Sequence, residues 1–249
     1  MKVNILGTKI DQLSKEKVLS TISEYLNSSS PHFVITPNPE FLVAASADAQ
    51  FREVLNQADL AVPDGMGLML AGLFLNKPLK ERLTGTDLVY ELADICCQKH
   101  KSIYFLGALP GVAEEAAINL KKQFPNLIIA GFESGFRTRF YFKLPDYLLV
   151  SKINRARPDV LLVAFGAGQQ EKWIYRHLNQ FKSVKVAMGI GGAFDFISGR
   201  VKRSPKFFRK LGLEWLWRLG LEPWRFNRIV TATFRFGRLV LKDKKNAKV

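Results

Sequence analysis

FVITPNPEFLVAASADAQFREVLNQADLAVPDGMG, residues 33–67, holds two short apolar runs, each stopped by a turn that contains proline. Phe33-Val34-Ile35 stops at Thr36-Pro37-Asn38-Pro39, and an Ala-rich helical segment follows. Leu60-Ala61-Val62 then stops at Pro63-Asp64-Gly65. Proline fixes φ and removes a backbone donor, so both breaks read as rigid turns. They fall at the carboxyl ends of adjacent strands, the edge at which open α/β sheets bind ligands. Thr36, Asn38 and Asp64 are therefore expected to face one crevice. Asp64 cannot be mid-helix between Pro63 and Gly65, and it stands as the general-base candidate. The alternative is an N-cap for a helix that starts near Gly65.

Outward from this stretch the chain alternates strand and helix. Upstream, Val3 to Leu6 reads as a strand and Ser14 to Leu26 as an amphipathic helix. Downstream, Gly67 to Leu75 is short and apolar, and Arg82-Leu83-Thr84-Gly85-Thr86-Asp87 opens a helix that runs to about Lys99. Thr84 or Thr86 can N-cap that helix, or the segment can contact a ligand. Ile103 to Leu106, Leu127 to Ala130, Asp159 to Phe165 and Val184 to Met188 read as further strands, with helices between them. The apolar run at 159–165 is continuous, as expected for a strand covered on both faces. The fold class expected is α/β: a mostly parallel, Rossmann-like sheet with helices on both faces, plus a basic helical appendage at the C-terminus.

Glycine-rich turns follow three of the strands, at Gly107, at Gly166 and at Gly189-Ile190-Gly191-Gly192. Such turns let backbone N–H groups meet phosphate, which points to a nucleotide-type ligand, although tight strand-to-helix turns need glycine anyway. Gly191 is the position expected to touch it. No metal ligation is expected: His32, His100 and His177 are scattered, and no Asp-x-Asp stands at a strand end. No Walker-type Gly-Lys-Thr is present either. Cys96 and Cys97 are sequence neighbours with no other cysteine to pair with, which fits a reducing compartment.

The net charge of +15 is unevenly spread. Residues 1–199 carry 22 Lys and Arg against 19 Asp and Glu, a net +3, whereas residues 200–249 carry 15 against 3, a net +12. Such an arm implies an anionic partner. It holds Trp215, Trp217 and Trp224, three of the four tryptophans. Trp among Arg and Lys is the composition of a membrane-interface helix. A catalytic domain over 1–197 and a membrane-association appendage over 198–249 follow, with 199–205 as a hinge. The N-terminus offers no apolar stretch for a signal peptide, and no run approaches the ~18 apolar residues of a spanning helix. The expected location is cytoplasmic, peripheral on the inner face of the membrane.

Several of these segments, in this order, closely resemble the WecG/TagA/CpsF family of bacterial glycosyltransferases: TPNPEFLVAA, VPDGMGL, RLTGTDL, FLGALPGVAEEAA, PDVLLVAFGAGQQEKW, GIGGAFDFISGRVKRSP and GLEWLWRLGLEPWR. The resemblance implies transfer of a sugar from a UDP-sugar to a lipid-diphosphate-linked acceptor at the cytoplasmic membrane face, without cofactor or metal. In wall teichoic acid members the sugar is N-acetylmannosamine and the acceptor is undecaprenyl-diphosphate-linked N-acetylglucosamine; other members use N-acetylmannosaminuronic acid or glucose. It implies a catalytic Asp64 with Thr36 beside it, and substrate contacts from Asn38, Gln170, Arg218, Arg225 and Arg228; Arg82, Thr84 and Gly191, from the turns read above, are expected as further substrate contacts. One departure from the family matters: Gly168-Gln169 stands where Pro-Lys is usual before Gln-Glu, which loosens that turn and removes a positive charge. Off the membrane a homo-oligomer is possible.

Two other classes remain. A nucleic-acid-binding protein would use the basic arm on phosphates, but the tryptophan clustering and the polar turns speak against it, and no nucleic acid is expected as partner. A UDP-sugar epimerase or dehydrogenase would want a dinucleotide fingerprint near the N-terminus, which is not found.

Overall fold

The protein is described by a computed structural model that covers residues 1–134 and 144–246, apart from the side chains of Lys210 and Arg225. The chain opens with β1 (Lys2–Ile5) and β2 (Thr8–Asp11), an antiparallel hairpin. Its two-residue loop, Leu6-Gly7, has positive φ at both positions, 51° and 82°. That is the turn that matches the strand twist, but Leu-Gly is not the dipeptide that signals it, so only the first strand was legible. α1 (Lys15–Tyr25) follows where a helix was expected from Ser14 to Leu26, with Ser14 as its N-cap.

β3 (His32–Ile35) and β4 (Leu60–Ala61) flank two helices rather than one: α2 (Pro39–Ala47) and α3 (Ala49–Asn56). The break is Asp48, whose Oδ1 accepts the Phe51 N–H at 2.9 Å and so starts a new helix. Next come α4 (Met66–Phe74), α5 (Gly85–Gln98), β5 (Ser102–Gly107), α6 (Val112–Gln123) and β6 (Ile128–Glu133). α7 (Asp146–Ala156), β7 (Val160–Ala164), α8 (Gln169–His177) and β8 (Val186–Gly189) complete the alternation.

Among the described residues, β3 to β8 form a six-stranded parallel sheet in the order β4-β3-β8-β7-β5-β6. Alternation along the strands sorts their side chains into two cores. Val34, Phe105, Leu162 and Met188 meet α1, α5 and α6 on one face. Phe33, Ile35, Leu106 and Val163 meet α2, α3, α7 and α8 on the other. Every residue of β7 is buried, as its unbroken apolar run predicts for a central strand. Gly107 at the end of β5 has a packing reason: a Cβ there would lie 2.6 Å from the Ala164 carbonyl oxygen of the neighbouring strand.

The C-terminal segment is helical but more broken than expected. α9 (Ala193–Ile197) leads to α10 (Lys206–Lys210) and α11 (Glu214–Leu221), which Gly212 separates at φ +72°. A single 3-10 turn, Pro223–Arg225, precedes α12 (Phe226–Val230), a π turn (Thr231–Arg235) and α13 (Phe236–Asn246). Phe236 and Val240 of α13 are buried in the same core as α2 and α3. The basic arm thus crosses the carboxyl ends of the strands and returns to the body.

Candidate active site

The turn after β3 and the turn after β4 are tied together: the Asp64 N–H donates to the Pro37 carbonyl at 2.9 Å. Asn38 stands at the N-terminus of α2, where its Oδ1 accepts the Phe41 N–H at 3.1 Å. Its side-chain oxygen therefore caps a helix at the border of the cavity. Thr36 is buried beneath the same cavity. Asp64 reaches into the lumen, and its Oδ2 accepts the Gly85 N–H at 3.2 Å. No side chain was available at Gly65, the N-cap of α4, so Asp64 is not that helix's cap. Burial pushes its carboxyl up to about 6; the Gly85 hydrogen bond and the Arg82 charge pull it down, while Glu214 and Asp87 add to the rise.

Thr84 performs the capping role weighed for it. Its Oγ1 accepts the Asp87 N–H at 3.1 Å and donates to Asp87 Oδ2 at 2.6 Å. Burial alone would raise the Asp87 carboxyl, but hydrogen bonds from Thr84 and Arg203 outweigh it and hold the group below the ordinary range. Arg82 donates through Nη2 to the Arg209 carbonyl at 2.7 Å, joining the cavity wall to the C-terminal arm.

The turns after β7 and β8 form the facing wall. Gln170 is wholly buried, with Nε2 donating to Glu171 Oε1 at 2.7 Å and Oε1 accepting the Gly191 N–H at 3.1 Å. Glu171 Oε2 accepts the Gly168 N–H at 2.7 Å. One hydrogen-bonded chain thereby links both glycine turns. Burial raises the Glu171 carboxyl to about 7 against the pull of Gln170 and Gly168. Gly191 has φ +53° and open space where a Cβ would stand, so it exposes backbone to the lumen. Of the three glycine turns, those at Gly166 and Gly191 line the cavity; the one at Gly107 serves strand packing.

The arm roofs this floor and encloses a cavity of about 350 Å³. Arg218 stacks 4.6 Å from the Phe196 ring centroid, donates to Asp195 Oδ2 at 3.1 Å and pairs with Glu222. A Cβ on Gly192 would lie 2.8 Å from Arg218 Nη1, so the guanidinium rests on the glycine turn. Arg228 pairs with Glu40 on α2 at 2.8 Å. Both arginines line the cavity; the Arg225 side chain lies outside the described residues. Arg203, which the sequence reading left inside a hinge, bonds Asp87 at 2.6 Å and Glu214 at 3.3 Å, and Arg200 grips Glu115 at 2.7 Å through two nitrogens. The segment 199–205 is therefore clamped to α5 and α6. The basic run in RVKRSP was the available signal, but nothing local showed which carboxylates it would meet.

Sequence reading also missed what lines the roof: Trp215, Ile229, Ala232 and Thr233, the last two from the π turn. Among the described residues no three His, Cys, Asp or Glu side chains converge as a metal cluster.

A cavity at the carboxyl ends of parallel strands, with a half-buried carboxylate on its floor and arginines in its roof, places the chain among enzymes of the α/β type, and comparison identifies a glycosyltransferase. The chain belongs to the glycosyl transferase WecG/TagA/CpsF family, which it matches over residues 3–249. It is 35% identical over 225 residues to the N-acetylglucosaminyldiphosphoundecaprenol N-acetyl-beta-D-mannosaminyltransferase of Bacillus subtilis (strain 168), covering 90% of this chain and 84% of that protein. It is 34% identical over 230 residues to the protein of the same name from Staphylococcus aureus (strain MRSA252), covering 92% and 88%.

Proposed function

We propose that this glycosyltransferase moves N-acetylmannosamine from a UDP-linked donor to N-acetylglucosaminyldiphosphoundecaprenol, with Asp64 as general base and protein cations in place of a metal. The observation that carries the reading is that Asp64, Arg218 and Arg228 line one cavity at the carboxyl ends of the strands. The relatives' activity supplies the sugar and the acceptor.

In this reading an acceptor hydroxyl attacks the anomeric carbon of the donor. Asp64 takes the hydroxyl proton as the new C–O bond forms. The bond from that carbon to the diphosphate oxygen breaks, and the electron pair leaves with UDP. Charge on the diphosphate grows in that step, and Arg218 and Arg228 oppose it from the roof. Thr36 sits beside Asp64, where it orients the acceptor; Asn38, Arg82 and Thr84 shape the same wall. Gln170 acts through Gly191, holding the turn that meets the donor. Arg225 is a further candidate for the diphosphate.

Residues 198–249 serve as the membrane-association region. Trp224 is 74% and Phe234 75% exposed, and Arg235, Arg238, Lys242 and Lys245 of the same arm are exposed as well, a composition that suits anionic headgroups. No helix among the described residues is long and apolar enough to cross a membrane. The placement proposed is peripheral, on the cytoplasmic face, where the acceptor's lipid stays in the bilayer.

Product analysis with a panel of UDP-sugars and a short-chain lipid-diphosphate N-acetylglucosamine tests the chemistry. A disaccharide product from UDP-N-acetylmannosamine is expected; transfer from another UDP-sugar alone would replace the donor assignment, and no transfer from any would sink it.

A further inference from the structure

α4 is an apolar helix in an unusual position. Met66–Phe74 reads MGLMLAGLF, without one charged or hydrogen-bonding side chain. A helix apolar all round belongs in a core or in lipid. Only one side of this helix is in the core: Leu68, Ala71 and Gly72 are buried. Leu70 and Leu73 are 59% and 61% exposed, and Phe74 is exposed beside them. These three stand at i, i+3 and i+4 and so form one continuous stripe.

The C-terminal arm brackets that stripe at both ends. A Cβ on Gly212 would run into the Met66 side chain, and a Cβ on Gly67 would come 3.9 Å from the Ala232 carbonyl oxygen. At the other end Lys244 Nζ donates to the Phe74 carbonyl at 2.6 Å and sits 3.7 Å from the Phe74 ring centroid. The apolar stripe is thus continuous with a surface whose exposed side chains are cationic and aromatic. Two of the arm's carboxylates, Glu214 and Glu222, are held by Arg203 and Arg218. The charge left facing outward is positive.

We propose that the outer face of α4 (Leu70, Leu73 and Phe74) inserts into the acyl boundary of an anionic bilayer beside the arm. The protein then rests on the membrane by two elements, the arm through charge and α4 through apolar insertion. This rests on the membrane reading above and adds to it a second, charge-independent contact. A helix lying in the interface buries its lipid-facing apolar side chains about 5–10 Å into the headgroup and acyl boundary. α4 begins one residue after the Asp64-Gly65 turn, and Met66 and Gly67 line the cavity. Seating α4 in the interface therefore sets the height of the cavity mouth, and of Asp64, relative to a diphosphate held at the headgroups.

The test is flotation of the full chain with phosphatidylcholine vesicles containing phosphatidylglycerol, at low and high salt, with light scattering on the free protein. Leu73→Asp is expected to lower vesicle partition by about tenfold or more at both salt concentrations, with Leu70→Ser lowering it less. Leu70→Ser keeps the question answerable if Leu73→Asp does not fold. Lys242→Gln with Arg238→Gln is expected to act at low salt only, because exposed charges are screened. If both α4 variants bind vesicles like the parent while the arm variant does not, the membrane reading stands and the α4 inference falls. If the α4 variants instead dissociate a dimer without changing vesicle binding, the stripe belongs to a second copy and the inference is overturned. No vesicle binding by the parent chain would sink the membrane reading and this inference with it.

Discussion

Asp64 Oδ2 accepts the backbone N–H of Gly85 at 3.2 Å, and that bond fastens the turn after β4 to the first residue of α5. The carboxylate is held by one neutral donor and one nearby cation, Arg82, in a setting whose main effect is to strip it of water. That combination keeps it basic.

Asp64→Asn is therefore expected to lower turnover by about 10²–10⁴-fold with little change in donor affinity. In the parent enzyme kcat/KM should rise with pH through about 6, as the carboxyl loses its proton, and the variant should lose that limb. Stability runs the other way. A carboxyl raised on folding contributes stability that is complete below about pH 4 and lost as pH rises through the folded value. At pH 8 the charge held out of water is a cost, so Asp64→Asn should stabilise the fold by on the order of 1–3 kcal/mol, read as a rise in Tm. Near-normal turnover by the variant would remove Asp64 from the role.

Gly85→Ala separates geometry from stability at the same place. The added Cβ would lie 3.1 Å from Thr36 Oγ1, tighter than ordinary contact, so Thr36 must shift by a few tenths of an ångström. Gly85 opens α5 with a backbone that L-residues adopt, so alanine gains about 0.4–1 kcal/mol by restricting the unfolded chain. Turnover is expected to fall by roughly tenfold while Tm holds or rises, since small misplacements at a reacting centre are costly. Unchanged turnover would show that Thr36 has no positioning task.

Glu171 is expected to act at one remove, through Gln170. Glu171→Gln replaces one of two accepting oxygens by an NH₂, so either Gly168 or Gln170 loses its partner. If Gln170 is released, the Gly191 turn loosens, and the donor KM should rise about tenfold with a smaller change in kcat. A fall in Tm alone, with both constants unchanged, would leave Glu171 a purely structural residue.

Arg218→Gln and Arg228→Gln bear on the roof. If these arginines oppose charge on the leaving diphosphate, each variant should lose on the order of tenfold or more in turnover on a soluble, lipid-free acceptor. Arg225→Gln belongs in the same series. Each should also weaken vesicle binding slightly, by about 1 kcal/mol per charge near the surface. Defects confined to vesicle binding would reduce the arm to an anchor.

Chelation addresses the same charge from another side. With arginines facing the diphosphate, activity should survive EDTA. Loss on chelation that Mg²⁺ or Mn²⁺ restores would show that a divalent ion does the work assigned to Arg218 and Arg228.

Local sequence determined the sheet and the edge at which the cavity lies. The runs at 33–35, 60–62 and 160–165 are apolar, as buried strands need, and prolines at 37, 39 and 63 end the first two where Thr36, Asn38 and Asp64 line the cavity. Asp64 and Thr36 were legible for that reason, because strand ends place them without reference to distant residues. Helix breaks at Asp48 and Gly212 were less visible, since a capping carboxylate or a positive φ matters only once the flanking helices have directions. The hairpin turn at Leu6-Gly7 left no strong local mark. What only the tertiary structure decided was the roof. Arg203 meets Asp87 across 116 residues and Arg228 meets Glu40 across 188. Charge composition identified an arm that seeks anions, but ion pairs have no periodicity to read. Their partners are fixed by the fold, which carries residues far apart in the chain to the same end of the sheet.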